Sequence, residues 1–231
     1  MCGRSSLTKN EKELEQRFNA TFYSEDLERY NPIPNFNVAP THMMPIITNE
    51  DASHINIFRW GLIPFWAKDV KIGTSMINAR IETIKEKATY KNTLKNKRCL
   101  VPLDGFYEWK KEGRNKIPFR IRTTDQEIFS CAGLWETWKS PEGININTFT
   151  IITLPSNKFM HQIHDRMPAI LLPEQEKEWL ERAITVNDID DILLPYPDDN
   201  MTMYPVSNRV NSVKNNDSTL IQPIAIQSRL F

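Results

Sequence analysis

The sequence predicts an α+β fold: a single domain built on a mostly antiparallel, curved, barrel-like β-sheet with peripheral helices. Three observations predict it. Four runs rich in β-branched and aromatic residues, each bounded by turn residues, occupy the middle of the chain. Helical patterns are short and lie outside those runs. No repeat, low-complexity tract or linker divides the 231 residues, and 40% hydrophobic with 25% charged positions is an ordinary globular composition.

The elements follow in order. Thr8 with Glu11 three residues later reads as a capping box, opening a helix to about Phe18. The charged run from Ile84 to about Leu94 reads as a weaker helix. Residues 99–103, 118–122, 128–134 and 149–154 read as strands. The segment Pro118-Phe-Arg-Ile-Arg alternates, so one of its faces is expected to be wet. Phe149-Thr-Ile-Ile-Thr-Leu is nearly all apolar or β-branched, so it is expected at the centre of the sheet. Pro173 in a first turn opens a helix over 173–184. Asn187 is expected to cap a short helix over 188–194.

Bulk properties narrow the function classes. The 29 basic and 29 acidic residues cancel, so a nucleic-acid partner must be met by a local patch. No apolar run approaches the roughly 20 residues that span a bilayer. The start MCGRSSLTKNEKELEQ lacks the apolar stretch of a signal peptide. A soluble cytoplasmic protein with no membrane partner is expected. Cys2, Cys99 and Cys131 are odd in number and form no CxxC, which argues against a disulfide framework and a cysteine zinc site. Neither a metal nor a cofactor is expected.

Five segments carry chemistry. Removal of Met1 would leave Cys2 with both an α-amine and a thiol. An α-amine has a pKa of about 7.7–8.0 against about 10.4 for lysine, so roughly a tenth of it is neutral near pH 7. An aldehyde meeting this pair forms an imine, and the thiol then closes a thiazolidine with the high effective molarity of an internal nucleophile. Otherwise Cys2 is a disordered terminal residue. In His161-Gln-Ile-His164-Asp165-Arg166-Met167-Pro168, the histidines suit an acid–base site, a metal, or a cap beside an Asp–Arg pair. Glu108, between aromatics in Phe106-Tyr-Glu-Trp109, either has a raised pKa or faces outward on an alternating strand. Asn78 can orient an amine and Arg80 can hold a phosphate, unless they merely lead into a helix. Trp60, Phe65 and Trp66 in Trp60-Gly-Leu-Ile-Pro-Phe-Trp66, with Pro40 upstream, either stack on unpaired bases or plug the core.

Together, MCGR, NVAP, WGLIPFW, INARIET, GFYEW, IHDRMP and PVSNRVN in this order resemble the SRAP family. These are the SOS-response-associated peptidases, also described as abasic-site processing proteins. The resemblance spans residues 2–225. It implies that Cys2 forms a stable crosslink to the abasic-site aldehyde, that Asn78 senses the site beside it, and that Glu108 promotes sugar opening. It further implies that His164 is the general acid–base. Arg4, Arg80 and Arg166 match backbone contacts. Pro40 and the Trp60–Trp66 loop match a surface against DNA near a duplex junction, and Trp109 joins the DNA-binding set. The implied partner is single-stranded DNA containing abasic sites. The protein is expected to be a monomer that removes its own Met1 and meets the nucleoid when bound to DNA. The alternatives are a cysteine peptidase acting on other proteins, with Cys2, His164 and Glu108 as a triad, and a non-catalytic single-strand binding module.

Overall fold

The computed structural model describes residues 2–23, 25, 32–181, 185 and 188–225. Its strands are β1 (Ser5–Leu7), β2 (Thr21–Phe22), β3 (Asn35–Val38), β4 (Met43–Thr48), β5 (His54–Trp60), β6 (Asn78–Arg80) and β7 (Arg98–Leu103). They continue with β8 (Gly105–Glu112), β9 (Asn115–Thr123), β10 (Phe129–Lys139), β11 (Asn145–Pro155), β12 (Arg166–Pro168), β13 (Ile170–Leu171) and β14 (Met201–Pro205). Five of these close on themselves: β11 pairs with β10, β10 with β7, β7 with β4, β4 with β5, and β5 returns to β11. Closure removes the free edges an open sheet would present. The closing contact is parallel, Thr148 opposite Arg59 and Phe149 opposite Trp60, so the barrel is mixed. The expected central strand is central: β11 bonds to β5, β6, β10 and β12.

A second sheet runs β14-β9-β8-β1-β3 and is antiparallel throughout. Only Asp104 separates β7 from β8, so the chain passes directly from barrel to second sheet. Successive residues of β8 serve different cores. Phe106 joins the main core, while Tyr107 packs with Val206, Val210 and Leu220 in a satellite cluster.

That double cover corrects the expectation of a wet face on residues 118–122. Arg120 is 3% exposed. Its guanidinium meets Asp104 Oδ1 at 3.0 Å and donates to Ser6 Oγ at 3.1 Å. Alternation signalled two faces, but both are covered, and the buried charge is matched by a carboxylate.

The helices Glu11–Phe18, Ile81–Ile84, Ala88–Asn96, Lys158–His161, Pro173–Leu180 and Asp188–Ile192 are peripheral. The first is capped by Asn10, not Thr8: Asn10 Oδ1 accepts from Glu13 N at 3.1 Å, and Asn10 N donates to Glu13 Oε2 at 2.9 Å. Thr8 is unavailable because its N–H and hydroxyl both donate to Asp104 Oδ2. The helix expected over residues 84–94 is two helices, Ile81–Ile84 and Ala88–Asn96. The helix from Pro173 stops at Leu180, and of its expected remainder residues 182–184 lie outside the described residues, as does Asn187.

Arg98, fully buried, explains why two helices end where they do. Its guanidinium donates to Leu94 O at 2.9 Å and Lys95 O at 2.5 Å, at the end of Ala88–Asn96. It also donates to Trp179 O at 2.9 Å and to Glu181 O, at the end of Pro173–Leu180. One cation thus satisfies carbonyls that two helix C-termini leave unpaired, at the negative ends of both dipoles. Burial pulls its pKa down to about 10, which still leaves it charged at neutral pH.

Candidate active site beneath the N-terminal strand

The register of β1 builds the site. Ser5 lies opposite Phe106, Ser6 opposite Gly105, and Tyr107 N–H donates to Arg4 O at 2.9 Å. Carried two residues further, that antiparallel register brings Gly3 opposite Glu108. The strand is locked by Asp104, which accepts from Ser6 Oγ at 2.6 Å while paired with Arg120. Cys2 lies ahead of this strand and joins the main core. It is fully buried, and burial together with the Glu108 carboxylate pushes its thiol up to about 12. Glu108 is 5% exposed, which settles its orientation as inward. Met1 lies outside the described residues.

Asn78 opens β6, whose parallel pairing with β11 sets it beside Ile151. Its Nδ2 donates to Cys2 O at 2.8 Å. Its Oδ1 is buried and accepts no hydrogen bond among the described residues. An acceptor without a donor, one amide away from the head of the chain, is a costly arrangement unless a donor arrives.

His164 lies beyond the helix Lys158–His161, so it does not share a helical face with His161. His161 Nδ1 instead lies 3.2 Å from Ser156 Oγ. Among the described residues no group of three or more His, Cys, Asp or Glu side chains is gathered as for a metal. Arg166 N–H donates to His164 Nδ1 at 3.0 Å, which places the proton of the neutral ring on Nε2. The exposed Asp165 carboxylate lies 2.8 Å from the same nitrogen. A cleft of about 340 Å³ joins His164 to Glu108, with Trp109, Lys111 and Lys116 completing its wall. Cys2 does not line it, being wholly covered.

The arginines differ in availability. Arg80 is exposed at the end of β6. Arg4 is half-buried, its Nη1 donating to Asn37 Oδ1 at 2.8 Å and Val210 O at 2.5 Å. Arg166 is buried against Glu82, Nη2 to Oε2 at 3.0 Å with a second bond from Nη1, and it donates to Thr153 O at 2.6 Å. Hydrogen bonding to Arg166 holds the Glu82 carboxyl below the usual range. A phosphate reaching Arg166 would have to displace Glu82.

The aromatic loop divides. Trp60, expected to stack on bases, is a core residue: it is 1% exposed, stacks on Phe149 and donates from Nε1 to Ile77 O at 3.0 Å. Its position on β5, at the barrel's closing contact, leaves it no outward face. Phe65 and Trp66 are 67% and 54% exposed. Gly61 makes their loop possible, since at φ +116° a Cβ there would lie 2.5 Å from Gly73 O. Pro40 is half-buried in the turn where Thr41 N–H donates to Trp60 O at 2.9 Å. Trp109 is half-buried, its Nε1 donating to Asn211 Oδ1 at 2.8 Å.

Sequence reasoning missed Asn37. Its Nδ2 donates to Val210 O at 3.3 Å, Ser212 O at 3.0 Å and Asn215 O at 2.8 Å, binding the late Pro205–Asn211 segment to Arg4. The signal available was its place in NVAP, a segment singled out only for Pro40.

The chain is similar to known proteins over nearly its whole length. The family model described as SOS response associated peptidase (SRAP) matches residues 1–213, and the chain belongs to that family. It is 45% identical over 225 residues to the abasic site processing protein YoqW of Bacillus subtilis, covering 96% of this chain and 99% of that one. It is 31% identical over 232 residues to the abasic site processing protein YedK of Escherichia coli, covering 97% and 100%. A solved structure of a protein from Bacteroides thetaiotaomicron superposes with a TM-score of 0.90 at 32% identity, covering 97% of this chain and all of that one. No helix among the described residues is long and apolar enough to cross a membrane.

Proposed function

We propose that this protein processes abasic sites in single-stranded DNA by covalent capture on Cys2, with residues 2–225 acting as one monomeric unit in the cytoplasm. Loss of Met1, which the chain performs on itself, frees the α-amine of Cys2. Glu108 and His164, facing each other across one cleft, move protons at the sugar ring oxygen and anomeric hydroxyl and so release the aldehyde. Asn78 Oδ1 accepts from the freed amine. The amine adds to the aldehyde and water leaves, giving an imine. The thiol then adds across the C=N bond, sulfur to carbon and its proton to nitrogen, by way of Glu108. The ring formed is a thiazolidine, and it cannot eliminate the neighbouring phosphate as an imine does. Arg4, Arg80 and Arg166 hold the backbone, and Phe65, Trp66 and Pro40 lie against the strand near a duplex junction.

The observation that carries this reading is the amide of Asn78 on the Cys2 carbonyl, beside a thiol that feels the Glu108 carboxylate. A cysteine peptidase acting on other proteins would need the Cys2 thiol but not its amine. One proline inserted between Met1 and Cys2 tests the role of the amine. It keeps the thiol but turns the Cys2 amine into an amide. No heat-stable crosslink to an abasic oligonucleotide is expected from this chain, and an undiminished crosslink would refute the reading.

A further inference from the structure

The hairpin of β8 and β9 carries Lys110, Lys111, Arg114 and Lys116 around its turn. Lys110 has an acidic neighbour, Glu112 Oε1 at 3.7 Å. Lys111 and Lys116 do not: both are exposed, and neither has an ion pair among the described residues. They stand directly opposite each other in the antiparallel register. Like charges in that position oppose pairing, so the hairpin is stabilised when an anion bridges them. Trp109, two residues before Lys111, shares its face of the strand. The three residues line the cleft that holds Glu108 and His164.

We infer that Trp109, Lys111 and Lys116 form a subsite for the nucleotide next to the abasic one, the base against the indole and the phosphodiester between the two ammonium groups. The inference rests on the crosslinking reading above for what occupies the cleft beside it. An aromatic face with adjoining cations is the chemistry that holds single strands without reading their sequence. Lysine suits it as a mobile point charge that follows a flexible backbone. In a chain of zero net charge, such a local pair is also how a polyanion is attracted to one side of the molecule.

The probe is a single-stranded oligonucleotide carrying one tetrahydrofuran abasic analogue, which has no aldehyde and reports binding without reaction. The Lys111→Gln/Lys116→Gln variant is expected to bind it about tenfold more weakly at fixed salt. Its log–log salt slope should be shallower by about 0.7 for each phosphate no longer neutralised. Lys12→Gln/Lys91→Gln, exposed elsewhere, should leave both unchanged. Trp109→Leu should weaken binding when natural bases flank the analogue, and lose that effect when the flanking positions are analogues too. Unchanged affinity and slope in the hairpin variant overturn the inference, as does an absence of strand binding by the unsubstituted protein. Failure of the crosslinking reading shows separately, as no adduct between the unsubstituted protein and a true abasic strand.

Discussion

Cys2→Ala is expected to abolish the heat-stable crosslink and to turn the protein into a strand-cleaving lyase. Alanine at position two is small enough for an aminopeptidase to remove Met1 without the chain's own help, so the α-amine remains and the imine still forms. What disappears is the internal thiol, whose closure has an effective molarity on the order of 10⁵ M or more. Without it the imine acidifies the adjacent carbon, and the phosphate leaves by elimination. Stable adduct should fall by at least about 10²-fold. Cleaved strand should rise as it falls, both read from one denaturing gel. Cys2 lies in the core, but its replacement removes a single sulfur, so the fold is expected to hold. A variant that still gave a heat-stable crosslink would remove the thiol from the mechanism.

Glu108→Gln is expected to slow single-turnover crosslinking by about 10²–10⁴-fold, the usual effect of removing a positioned acid–base group. The sign of this result is informative. The Glu108 carboxylate helps hold the Cys2 thiol near 12, so glutamine must lower that pKa. Below the pKa, each unit of lowering yields about ten times more thiolate. If ionisation of the thiol limited the reaction, the variant would therefore be faster. Proton transfer by the carboxylate requires it to be slower across pH 6–9, with thiol alkylation moving the other way. A faster variant would reassign Glu108 from proton carrier to inhibitor of the thiolate.

Much of the fold was legible because its signals are local. The β-branched run at 149–154 announced a strand buried on both faces, and β11 proved to be bonded to four neighbours. Pro173 marked a helix start that the structure keeps. What was not legible depends on partners distant in sequence. Thr8 and Asn10 both suit an N-cap, and the choice falls to Asp104, 96 positions from Thr8, which takes the threonine. Arg120 reads as solvent-facing until Asp104 and Ser6 are known to enclose it. Trp60 and Trp66 are alike in composition and setting, yet one closes the barrel and the other is exposed.

The site divides in the same way. Its residue types were readable from short blocks, since an amine with a thiol, a carboxylate among aromatics and a histidine beside an arginine each suggest chemistry alone. Their assembly was not, because it follows from the β1–β8 register and the parallel β6–β11 pairing, which no local pattern encodes. Nor did the sequence reveal that Arg166 is occupied by Glu82 or that Arg4 is tied to Val210 O.

The central claim is that freed amine and thiol act together at Cys2, and intact-mass spectrometry after mixing with an oligonucleotide containing one abasic site tests it most directly. The expected product is the protein without Met1, joined to the oligonucleotide with loss of one water and mapped to Cys2. Fully processed protein that forms no adduct, or an adduct on any other residue, would contradict the account.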